Sequence, residues 1–132
     1  LYSQVKKVKK IQKKREKFWN KYKDYINKFK NDMFYLIKPI KNCISAYHLF
    51  VLVFKSLKKS NEFKKVMQKN GIAATFHYVP LHKSKMGKRF CNYKLPVTER
   101  IYNRVVRLPL FSDITDKEFN KILYSLKKFL IN

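Results

Sequence analysis

His77, Tyr78 and His82 follow an apolar run, and of all the side chains in this sequence theirs are the best suited to holding a polar ligand. Neutral imidazole offers one donor and one acceptor, and a phenol hydroxyl can do both. The run before them, Ile72-Ala-Ala-Thr-Phe76, predicts a short buried strand. Pro80 cannot donate to a ladder and stops it. A strand end that sets two histidines and a tyrosine side by side builds one wall of a site. The plainer alternative is a set of hydrogen-bonded residues at a strand end, and His82 suits the role of a loop pin as well as that of a ligand contact. His48 falls inside a second apolar run and reads as a hydrogen-bonded core residue. Lys83, Lys85, Lys88 and Arg89 decorate the following loop, where they could attract a diphosphate. In so basic a chain they read first as solvated. Arg107 reads as a structural contact, through a salt bridge or a helix end.

The elements that must position these residues can be read in order. Apolar or aromatic residues at 1, 5, 8, 11, 18, 22, 25, 26, 29 and 33 are spaced by threes and fours, apart from Arg15 at one expected position. That periodicity predicts one long helix from Leu1 to about Met33, roughly 45–50 Å in length at 1.5 Å per residue. Its stripe is too long for a small domain to cover, which predicts a further partner: a second domain, a second chain, or a second copy paired through this helix; the plainer alternative is a solvated helix with one docked end. Pro39 closes the region. Ile44 to Phe54 predicts a central strand, apolar on both faces. Ser60 is a candidate cap for a helix through Phe63, Val66 and Met67, with Asn70-Gly71 as a left-handed stop. After the strand at 72–78 comes a long basic loop, 79–95. Pro96 suits the first turn of a short helix to about Val105. Arg107-Leu-Pro-Leu-Phe111 predicts a brief edge strand. Thr115-Asp-Lys-Glu118 is a capping box opening a last amphipathic helix. The expected fold class is α+β: a long N-terminal helix followed by a small three-stranded sheet covered by helices.

Composition limits the function classes. The chain has 132 residues, enough for one modest core, and a hydrophobic content of 45% predicts a folded protein. The formal charge is +24, with five arginines among 32 basic residues and only two glycines. Such a charge suggests nucleic acid or another polyanion as a partner, through the Lys-rich long helix. The arginine forks that read bases are scarce, and the lysines spread along the whole chain. The expectation is therefore non-specific, salt-sensitive polyanion binding and no specific nucleic-acid partner. Cys43 and Cys91 show neither metal spacing nor a disulfide framework, which predicts a reducing, cytoplasmic setting. The longest apolar run, 44–54, is too short to cross a bilayer, and no membrane partner is expected.

Ser45-Ala-Tyr-His-Leu-Phe50, Asn70-Gly-Ile72, Phe76-His-Tyr-Val-Pro-Leu-His82, Met86-Gly87, Arg107-Leu-Pro-Leu-Phe111 and Thr115-Asp-Lys-Glu118 occur in one order. That series resembles the C-terminal domain of the DegT/DnrJ-type sugar-nucleotide aminotransferases. Gln4, Lys7, Ile11, Lys14, Arg15, Trp19 and Tyr22 resemble the interdomain helix of the same family. The resemblance implies the small domain of a fold type I pyridoxal-phosphate transferase, with an interdomain-type helix at 1–36 and the small α+β domain at 43–132. It implies amino transfer to a dTDP-4-keto-6-deoxyhexose, with His77, Tyr78 and His82 as the substrate-binding residues. It also implies that the cofactor lysine, the aspartate at the pyridinium nitrogen and the phosphate cradle belong to a large N-terminal domain absent from this sequence. The chain is then expected to hold no cofactor and to be non-catalytic alone, a fragment of such an enzyme that self-associates through its N-terminal helix.

Overall fold

The computed structural model describes residues 2–37, 39–90 and 93–131. Leu1, Cys91 and the side chain of Gln4, all used in the sequence reading, lie outside the described residues.

The N-terminal helix comes in two pieces, α1 (Tyr2–Lys6) and α2 (Val8–Ile26), with Lys7 between them at φ −99° and ψ 0°. It stops well short of Met33. The Lys28 amide bonds three residues back to Tyr25, a tightened last turn. The Asn31 carboxamide oxygen then accepts from the Met33 and Phe34 amides and turns the chain into β1 (Phe34–Leu36). This strand was not expected. Its three residues gain strand geometry from pairing antiparallel with β2 (Phe50–Phe54), Phe34 opposite Phe54 and Leu36 opposite Leu52.

β2 is the centre of a three-stranded sheet, flanked by β1 and by β3 (Val105–Leu108). It is shorter than the predicted 44–54 run. Asn42 (φ 64°) and Tyr47 (φ 46°) are both left-handed, and the Tyr47 amide donates to the Ser45 hydroxyl. An extended strand cannot pass through that geometry. The second expected strand, 72–78, is reduced to one bridge in which Thr75 and Arg107 exchange both backbone bonds, at 3.2 and 2.7 Å. In this register the next hydrogen-bonded position on one side falls on Pro109, which has no N–H to give.

Helix α3 (Leu57–Lys69) begins earlier than predicted. Ser56, not Ser60, is its cap, accepting from the Lys59 amide at 3.2 Å. Ser60 is buried inside the helix, where its hydroxyl donates to the carbonyls of Leu57 and Asn103. Gly71, at φ +68°, supplies the expected left-handed stop. The loop that follows contains two short 3₁₀ turns, Leu81–Lys83 and Gly87–Arg89. Helix α4 (Pro96–Tyr102) starts on Pro96, and α5 (Asp116–Leu130) on the complete Thr115/Glu118 capping box.

The C-terminal half of α2 lies on its own domain. Phe18, Trp19, Tyr22 and Ile26 are buried among Phe50, Phe119 and the rest of the core. Trp19 is only 8% exposed, edge-on to Phe50 and Tyr47. The Tyr22 hydroxyl donates to the Pro109 carbonyl at 2.9 Å, and burial pushes its pKa far above the usual phenol range, so it stays a donor. This corrects the expectation of a bare stripe: intramolecular packing covers it from Phe18 onward. Tyr2, Val5 and Val8 remain exposed. Among the described residues no helix is long and apolar enough to cross a membrane.

Candidate functional site

The site is built at the β3 edge of the sheet. Val51 on β2 pairs with Arg107 on β3, and Arg107 pairs in turn with Thr75. That row fixes where the 75–78 segment lies. His77 follows, with its ring 4.7 Å from that of Tyr78 and tilted by 60°. The Arg107 guanidinium lies 5.4 Å from the centre of the Tyr78 ring, and its Nε donates to the Phe76 carbonyl at 3.3 Å. Tyr78 itself is 69% exposed.

His77 is partly buried, and its Nδ1 is enclosed without a hydrogen-bond partner. Burial first, then the positive charge of Arg107, then His48, hold its pKa below the ordinary histidine range. The imidazole is therefore neutral at physiological pH, with a donor and an acceptor nitrogen. Next to it are a freely exposed phenol and a fixed guanidinium. Such a group can bind hydroxyl, keto or phosphate oxygens.

One other histidine departs from expectation. His48 is not a core residue. It is exposed, because the chain reaches β2 only at Phe50, and it lines a cleft of about 200 Å³ with Trp19, Ile37, Pro39, Leu49 and Val51. The polar Ser45-Ala-Tyr-His48 stretch before the uniformly apolar 49–54 run was the signal for this, and the run was read through it. Arg107 was also read as a structural contact alone, although it touches the His77–Tyr78 segment directly.

His82 is engaged in the loop. Its Nε2 lies 3.3 Å from Glu99 Oε1, its side chain is 8% exposed, and the same carboxylate takes Lys83 at 2.9 Å and the Leu95 amide at 3.3 Å. Lys83 is thus bound to α4, while Lys85, Lys88 and Arg89 are exposed.

A cleft of about 550 Å³ lies between α3 and the 71–76 segment. Lys64 is the one ionisable group on its wall, and neither histidine nor Tyr78 lines it. Among the described residues no three His, Cys, Asp or Glu side chains stand close enough to hold a metal ion.

Comparison with known proteins agrees with this architecture. An uncharacterized protein of Methanocaldococcus jannaschii is 28% identical over 134 residues, which span 96% of this chain and 34% of that protein. The dTDP-3-amino-3,6-dideoxy-alpha-D-galactopyranose transaminase of Aneurinibacillus thermoaerophilus is 24% identical over 106 residues, 80% of this chain and 28% of that enzyme. Among solved structures, Helicobacter pylori PseC, an aminotransferase involved in the biosynthesis of pseudoaminic acid, superposes with a TM-score of 0.84 at 22% identity, covering 98% of this chain and 35% of PseC. The aminotransferase TlmJ from Streptoalloteichus hindustanus gives a TM-score of 0.86 at 18% identity, covering 98% of this chain and 34% of TlmJ. The chain spans about a third of the length of these relatives. At these identities the superpositions establish the α+β fold. The profile of the DegT/DnrJ/EryC1/StrS aminotransferase family matches residues 1–127, and the chain belongs to that family.

Proposed function

We propose that this chain forms the small-domain side of a sugar-nucleotide aminotransferase site, in which His77 and Tyr78 hydrogen-bond the sugar. Carrying this reading is the pairing of partly buried His77, held neutral, with exposed Tyr78 at the sheet edge, in a chain matched by the family profile almost end to end. The ordered motifs resemble those of dTDP-4-amino-4,6-dideoxygalactose transaminase, which suggests a dTDP-4-keto-6-deoxyhexose as substrate. The Aneurinibacillus relative is named for a 3-amino sugar, so the position of the keto group is part of the question. His82 is reassigned from the substrate to the loop that frames the site.

The family reaction uses pyridoxal phosphate, and the residues described here do not fit a self-contained site for it. Among the described residues no lysine is buried. Of the two glycines, Gly71 ends α3, and Gly87 is pressed against the Leu81 carbonyl, where a Cβ would clash at 1.7 Å. Neither lines a phosphate cradle. Catalysis therefore calls for a cofactor domain beyond these residues, and the chain alone is non-catalytic. The interdomain-helix reading of residues 1–36 extends to the exposed α1 arm, which would meet that domain or a second copy of this chain. A cytoplasmic setting suits soluble nucleotide sugars.

The test is a titration of the chain with dTDP-4-keto-6-deoxyglucose, followed by histidine and tyrosine NMR signals. Shifts at His77 and Tyr78, with His82 still, support the reading. Shifts spread over the lysines and abolished by added salt would instead show polyanion binding, which so far rests on net charge alone.

A further inference from the structure

We infer that Arg107 is the positioning residue of this site: one side chain of the edge strand holds the 75–78 segment so that His77 and Tyr78 are presented together. The inference rests on the reading of His77 and Tyr78 as the groups that face substrate. Their segment has little else to fix it. Its recorded ladder contact is the single Thr75–Arg107 pair, and the residues beyond it run into an exposed loop. Arg107 touches the segment three times. Its backbone pairs with Thr75, its Nε bonds the Phe76 carbonyl, and its guanidinium lies on the face of Tyr78. Those contacts straddle His77 on both sides.

The same side chain sets the chemistry of the imidazole. The groups acting on His77 are Arg107 from β3, His48 from the approach to β2 and the neighbouring Tyr78. The fixed positive charge disfavours imidazolium, so His77 keeps an acceptor as well as a donor. A lysine at 107 would keep the charge. It would lose the Nε bond and the guanidinium's contact with the Tyr78 ring, since an ammonium is a point charge on a flexible stem.

Arg104 is a matched control. It lies three residues earlier and is bound elsewhere, to the carbonyls of Arg100 at 2.6 Å and Lys55 at 2.7 Å. With only three histidines in the sequence, ring-proton NMR across a pH series resolves each one in the full chain. In Arg107→Gln the His77 midpoint is expected to rise, the Tyr78 ring signals to shift, and exchange of the Thr75 amide to quicken. In Arg107→Lys the midpoint stays low while the Tyr78 signals shift as in the glutamine variant. In Arg104→Gln neither moves. A folded Arg107→Gln protein with His77 and Tyr78 unchanged overturns the inference, as does an equal response in Arg104→Gln. If Arg107→Gln fails to fold, Arg107→Lys decides, and unshifted Tyr78 signals there overturn it. No ligand is added in this experiment, so its failure leaves the sugar-nucleotide reading standing, and the converse holds for the ligand titration.

Discussion

Glu99 ties the 79–95 loop to α4. It gathers Lys83, His82 and the Leu95 amide onto α4. Its pKa lies below the usual glutamate value, chiefly through the Lys83 hydrogen bond, and that of Lys83 lies above its own, chiefly through Glu99. A depressed carboxylate stabilises the fold above its unfolded pKa of about 4.3 and loses that contribution as pH falls through the lower folded value. A raised ammonium contributes fully below its unfolded pKa of about 10.4, and the contribution is lost as pH rises through the folded value. Loop anchoring should therefore be flat across neutral pH and fail at both extremes. Leu95 amide exchange across a pH series would show this. Glu99→Gln should quicken that exchange at neutral pH while leaving the melting temperature nearly unchanged, because exposed ion pairs contribute little to global stability. A large drop in melting temperature would contradict it.

Helix ends and core contacts govern the elements, and here stability responds locally. Thr115→Ala removes the hydroxyl half of the capping box on α5, leaving the Glu118 carboxylate to accept from the backbone amide of residue 115, and should cost about 1 kcal/mol in urea unfolding. Tyr22→Phe keeps the ring stack but leaves the Pro109 carbonyl without its donor, at a cost of about 1–3 kcal/mol. Val5→Ala in the exposed arm should cost almost nothing, within about 0.5 kcal/mol. A loss at Val5 as large as at Tyr22 would mean that the arm belongs to the folding unit. The same distinction explains what could be read from the sequence. The capping box, the Gly71 stop, Pro96 at the start of α4 and the buried face of α5 are signals carried by neighbouring residues, and all were legible. β1 and the 72–78 segment depend on partners distant in sequence. Phe34 to Leu36 become a strand because β2 is beside them, and 72–78 fails to become one because its register runs onto Pro109. His77 and Tyr78 could be picked out by type. The exposure of His48 depends on the left-handed turn at Tyr47, and the reach of Arg107 depends on cross-strand pairing, so neither follows from local pattern.

For the whole molecule the charge of +24 acts as one field. Ten of the basic residues lie on α1, α2 and the Lys7 between them, where Glu16 and Asp24 are the acids. Binding to heparin or random-sequence DNA should be measurable at low salt and vanish at about 0.5 M, since point-charge contacts draw their strength from counterion release. Binding that survived such salt, or that favoured one sequence strongly, would argue for a specific nucleic-acid role. Self-association through the α1 arm should respond in the opposite sense, because salt screens the repulsion between two lysine-rich helices. Sedimentation across a salt series separates the two effects.

The break at Lys7 gives this arm a practical property. Exposed Lys7 stands there outside regular helix geometry, next to exposed Lys6 at the end of α1, and the first buried residue of α2 is Phe18. A protease that cuts after lysine should nick the chain at this joint before it reaches the domain. The trimmed product should keep Trp19, Tyr22 and Ile26 in place and melt as the parent does. The joint then acts as a perforation: the arm can be torn away and the domain kept, which allows whatever the arm grips to be assayed apart from whatever the domain binds.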